Sequence, residues 1–144
     1  MLEVAEGGPV IGPRMAVLGG ACAVLLLAAA CRAAPKVTGS YELRAINQQP
    51  LPFKGGAVSG TWIEVTGGAL ALHPDGTYER RLLLTTHAGR AEHPDSTIQT
   101  GTYVLRMSTV VMHTAGGDET ADLVGNALVM SIRGWRYLFR KPAI

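Results

Sequence analysis

The chain has 144 residues, the length of one domain. A net charge of +2, with no basic stripe interleaved with aromatics, gives no argument for a nucleic-acid partner. The apolar fraction of 47% is inflated by one uncharged block at residues 15–30, and the two cysteines, Cys22 and Cys31, lie in or at the end of that block, so the remainder has neither a disulfide framework nor a thiol site.

Residues 1–14 contain Gly and Pro with Glu3, Glu6 and Arg14, which makes a poor positive n-region, and Met15 is an alternative start because it opens the apolar run itself. Residues 15–30 fall short of the roughly 20 apolar residues of a bilayer span and suit the apolar core of a signal sequence. The run ends Leu27-Ala28-Ala29-Ala30-Cys31. Small residues directly before a cysteine resemble the lipobox of bacterial lipoproteins, which implies lipidation of Cys31 and a membrane anchor. Ala28 departs from the Leu that the family prefers. Secretion after an Ala-x-Ala site at residues 28–30, and an uncleaved N-terminal anchor, are the competing readings. All three place the domain outside the cytoplasm. The predicted organisation is a leader at 1–31, a linker at 32–36 and a folded domain at 37–144.

Residues 37–46 read as a first strand, with Tyr41, Leu43 and Ala45 on one face and Glu42 and Arg44 on the other. Pro50 and Pro52 end it, since proline cannot donate to a central ladder. Residues 53–59 are Gly-rich and read as a loop. Residues 60–66, with Trp62, Ile63 and Val65, read as a second strand, and Gly67-Gly68 as a turn. The strongest hairpin signal follows at 69–86. Leu70 and Leu72 alternate with small residues, and His73-Pro74-Asp75-Gly76 supplies turn chemistry. Tyr78, Leu82 and Leu84 then share one parity.

Residues 86–95 read as a polar, mobile loop, and residues 97–105 as a strand with Tyr103 and Leu105 in phase. Further strands are predicted at 110–114, 119–124, 127–132 and 135–140, the last with Trp135, Tyr137 and Phe139 on one parity. Arg133, Arg136, Arg140 and Lys141 read as an exposed strand face with an edge-protecting lysine. No segment after Cys31 has a sustained helical period. Eight to nine short strands joined by tight turns predict an all-β antiparallel meander closed into a barrel, because closure removes exposed edges.

Gly39-Ser40-Tyr41, Gly76-Thr77-Tyr78 and Gly101-Thr102-Tyr103 repeat one strand-entry theme at irregular spacing. Together with Pro50-Leu51-Pro52, Asp75-Gly76, Gly125-Asn126-Ala127-Leu128 and the closing Tyr137-Leu138-Phe139-Arg140, they resemble, in order, the small lipocalin-like domains of bacterial envelope proteins. Asn47-Gln48 stands where such domains usually have Asn-Gly. The resemblance implies a calycin-type barrel and supplies no catalytic motif.

No catalytic constellation emerges from the residues either. The four histidines lack metal-ligand spacing and cysteine partners, although His87, Glu92, His93 and Asp95 share one predicted loop. No serine has a Gly-x-Ser-x-Gly context, Glu79 has outward parity, and no glycine loop opens a helix. Neither a metal nor a cofactor is implied, and the expectation is a protein that is not an enzyme. The polar oddity is Arg80, which shares the inward parity of Tyr78, Leu82 and Leu84. An unpaired buried charge is very costly. Arg80 is therefore either the anchor of a ligand carboxylate, or displaced by a bulge at Arg80-Arg81 or a rim position that reaches water. The leading expectation is a small, partly apolar or anionic-apolar ligand such as a fatty acid, bound by Tyr41, Tyr78, Arg80, Tyr103 and Tyr137. The alternative is an envelope protein–protein interaction module with a filled core. A cavity of about 300 Å³ or more favours the first.

Overall fold

The computed structural model describes residues 36–143. They form ten β-strands and, among the described residues, no helix: β1 Gly39–Ile46, β2 Gln49–Pro50, β3 Phe53–Val58, β4 Thr61–Leu72, β5 Thr77–Ala88, β6 Ala91–Arg106, β7 Thr109–Thr114, β8 Gly117–Val124, β9 Ala127–Ile132 and β10 Trp135–Arg140. The leader, the candidate lipidation residue Cys31 and most of the linker lie outside the described residues.

Every pairing is antiparallel. Eight strands run in the order β1-β10-β9-β8-β7-β6-β5-β4, and β4 returns to β1 through Tyr41↔Leu70 and its neighbours, so the sheet closes into a barrel. β2 folds back on β1 and β3 on β4 as short additions. The turn from β1 to β2 is Asn47-Gln48, with φ of 52° and 66°; two positive φ values are the type I′ signature that Asn-Gly usually supplies. Asn47 also ties this turn to β10, accepting from the Arg136 N–H at 2.8 Å through its side-chain oxygen.

The structure corrects four expectations. Residues 53–59 are not a loop: Phe53, Lys54 and Gly55 pair with Val65, Glu64 and Ile63. Gly67-Gly68 is not a turn. β4 runs through it with a bulge between Val65 and Gly67, which merges two predicted strands and leaves eight for the barrel. Residues 86–95 are not a loop either. Thr86↔His93, His87↔Glu92 and Ala88↔Ala91 continue the β5–β6 ladder to a tight turn at Gly89-Arg90. Pro94 is tolerated because β6 pairs with β7 only from Thr102 onward, so this stretch is an edge. Finally, Lys141 protects no edge, since β10 is bonded on both sides. Its Nζ caps the barrel end instead, donating to the carbonyls of Lys36 and Thr38 at 2.9 Å each, with the charge 5.1 Å from the Tyr41 ring.

The hairpin at His73–Gly76 forms as read. Asp75 Oδ1 accepts from the Thr77 N–H and hydroxyl at 2.9 and 2.6 Å, and Gly76 has φ of +84°. Those bonds hold the Asp75 carboxyl below its ordinary value of 3.8, the Thr77 hydroxyl contributing most. Tyr103 fastens the turn from β6, its N–H donating to the Gly76 carbonyl and its hydroxyl to that of His73.

Inward parity holds along most strands. Tyr41, Leu43, Leu70, Leu72, Tyr78, Val110, Met112, Leu128 and Phe139 are buried and fill the barrel half that contains the start of β1. Each such side chain stabilises the fold by roughly 1.5–3 kcal/mol. Ala45 is the exception. A register shift between Leu43 and Ala45 turns Ile46 inward in its place. Gly101 is required opposite Tyr78, because a Cβ there would overlap the His113 carbonyl oxygen and crowd the Tyr78 ring.

Candidate functional site

Side chains fill one half of the barrel. At the other end the β4–β5–β6 arms stand beyond the β7–β8 and β9–β10 turns, and a cavity of about 830 Å³ opens between them. The size falls in the roughly 300–1,000 Å³ range of small-molecule sites. Its apolar walls come from inward positions of β4, β5, β9 and β10: Ile63, Leu82, Leu84, Ile132 and Trp135. Trp135 is held edge-on to Phe53 with ring centroids 5.0 Å apart, so the short β3 strand braces the wall.

The polar floor is built around Arg80. No bulge displaces it: Leu70↔Arg80 and Arg80↔Gln99 are regular pairs, and the residue is 6% exposed. The water-reaching reading of Arg80 is therefore wrong, and burial is tolerated because the charge is paired. Its Nη1 donates to Glu119 Oε2 at 2.6 Å and contacts the Met130 sulfur at 3.7 Å. Its Nη2 donates to the Gln99 side-chain oxygen and, at 3.4 Å, to Glu119 Oε1. Glu119 lies opposite the inward Met112 on β7, in phase with Ala121. Arg80, Gln99 and Glu119 all line the cavity.

The five predicted site residues separate. Arg80 and Tyr137 line the cavity. Tyr78 is one inward step further along β5, and its buried hydroxyl has no hydrogen-bond partner among the described residues. Tyr41 and Tyr103 belong to the filled end, and their hydroxyls donate to the carbonyls of Val37 and His73 at 2.6 and 2.7 Å, so they offer the cavity nothing. Burial raises all four phenols. Tyr41 reaches about 12, with Tyr103 a lesser cause. For Tyr78 and Tyr137 burial prevails over the opposing pull of Arg80, and for Tyr103 nearby Asp75 adds to it.

Gln99 and Glu119 were missed in the sequence reading, yet the signal was present. Gln99 is in phase with Tyr103 and Leu105, and Glu119 with Ala121 and Leu123. A polar residue at each inward parity is the partner that an inward arginine demands.

Strand alternation also disperses the acidic and histidine residues of 86–95. His87 and Glu92 face outward, whereas His93 pairs with Thr86 on the opposite face. His87 stacks on Trp62 at 3.7 Å and lies 3.1 Å from Glu64, with Lys54 Nζ 4.8 Å from the Trp62 ring centroid. Among the described residues no group of three or more His, Cys, Asp or Glu side chains is placed to hold a metal ion.

A closed eight-stranded antiparallel barrel, filled at one end and hollow at the other, defines a lipocalin-like barrel protein. No family model matches the chain, and no curated protein matches it. Among solved structures it is similar to the Cpx pathway activator NlpE from Escherichia coli, at 24% identity and a TM-score of 0.36, over 56% of this chain and 40% of that one. The chain thus spans less than half the length of that protein.

Proposed function

We propose that this is an exported, non-catalytic barrel that binds a small, partly apolar ligand in its open end. The observation that carries the reading is the 830 Å³ cavity, with apolar walls above a polar floor. Apolar walls supply affinity by removing surface from water, and a few placed polar groups orient the ligand. An envelope location and a lipid anchor at Cys31 are part of the proposal. They are supported by the uncharged run at residues 15–30 and the small residues before Cys31. The second reading, a protein-interaction module, draws support from Leu83 and Ile98, which are 44% and 53% exposed. Native mass spectrometry of protein purified from its own host tests the first reading. A retained small-molecule adduct, lost on denaturation, is expected. Protein that carries no adduct and takes up no apolar probe in solution would overturn it.

A further inference from the structure

We propose that the cavity selects an uncharged amphiphile, an apolar chain ending in a hydroxyl or amide, over a fatty acid or an alkylammonium ion. This deepens the ligand-binding reading and rests on it. Arg80 is the cation an anionic ligand would seek, but it already has a counterion. Both of its terminal nitrogens are engaged, by Glu119, Gln99 and the Met130 sulfur, and it is 6% exposed. An incoming carboxylate would have to displace Glu119 from Arg80, or share a low-dielectric floor with it. Like charges at that range are strongly unfavourable, and an ion buried without a partner more so. An ammonium ion meets the converse difficulty, since the charge of Glu119 is spent on Arg80. The other two charged residues that line the cavity, Asp118 and Arg133, bring one charge of each sign, so the formal charges of the lining sum to zero.

What the floor retains is hydrogen-bonding capacity without net charge. Glu119, whose side chain is 24% exposed, has lone pairs beyond those that Arg80 occupies. Gln99 must turn its oxygen toward the guanidinium, because two N–H groups would repel, and this leaves its NH₂ as a donor. Acceptor and donor side by side match a hydroxyl or a primary amide, each of which donates and accepts at once.

The test is a displacement series on the folded protein at neutral pH, with the uncharged fluorophore N-phenylnaphthylamine as the reporter and dodecanol, dodecanamide, dodecanoate and dodecylammonium as competitors. The alcohol and amide should bind at least about tenfold more tightly than the acid or the amine. In Glu119→Gln the order of acid and alcohol should reverse, because Arg80 then lacks its counterion. If that variant is unfolded by circular dichroism, the wild-type ranking decides alone. Dodecanoate binding tightest to wild type, or four equal affinities, overturns the head-group inference and leaves ligand binding standing. Failure of the fluorophore and all four competitors to bind removes the ligand-binding reading, and this inference with it.

Discussion

Breaking the Arg80–Glu119 pair is the most informative perturbation of the fold. Arg80 is 6% exposed, and Glu119→Ala leaves its guanidinium hydrogen-bonded, among the described residues, to the Gln99 oxygen and the Met130 sulfur alone. Removing one partner of a buried pair costs about 3–5 kcal/mol. Glu119 has 24% of its side chain open to the cavity, so water can reach part of the vacated space, and the low end, about 3 kcal/mol, is expected. For a domain of this size that lowers Tm by on the order of 10 °C. Arg80→Met with Glu119→Leu should recover most of the loss, since an apolar pair of similar volume needs no counterion. Urea unfolding of wild type, Arg80→Met, Glu119→Leu and the variant carrying both gives the coupling energy directly, provided m stays constant across the set. A coupling energy under about 0.5 kcal/mol, the level of an exposed ion pair, would refute the reasoning.

Four further outcomes are expected. Gly101→Ala should cost roughly 2–3 kcal/mol, the upper part of the overpacking range, because its Cβ meets backbone at His113 and not a flexible side chain. Gly76→Val should cost about 1–3 kcal/mol from φ alone, the nearest atom to a Cβ there being 3.8 Å away; denaturant midpoints check both. Each tyrosine has its folded pKa raised above 10.0, so stability is intact below that value and falls as pH rises through the folded values, to about 12 for Tyr41. Tyrosinate absorbance should therefore emerge together with loss of β-sheet circular dichroism, and absorbance near pH 10 in a folded protein would contradict the burial argument. Cys31→Ala should abolish labelling by a fatty-acid analogue in the native host while Cys22→Ala keeps it, and label retained without Cys31 removes the lipoprotein proposal.

Local chemistry determined the strand-and-turn plan of this protein. Leu70, Leu72 and Tyr78 alternate around a Pro-Asp-Gly turn, and each residue of the turn favours it locally, although Tyr103 of β6 fastens it further. Parity likewise placed Tyr41, Leu43, Tyr103 and Phe139 inside, since alternation is a property of any extended chain. Only the tertiary structure decided where parity breaks. The bulges after Leu43 and Val65 answer to strands β10 and β5 lying alongside, and they bring Ile46 inward and carry β4 through two glycines that alone read as a turn. The polar stretch at 86–95 became a ladder because its backbone groups found partners across Gly89-Arg90, a pairing that side-chain polarity does not announce. The fate of Arg80 was undecidable from β5 alone. Its counterion arrives from β8, 39 residues away, and only barrel closure brings the two within 2.6 Å. Closure also sets which half the side chains fill and which they leave hollow, because that depends on volumes summed over eight strands and not on the pattern of any one of them.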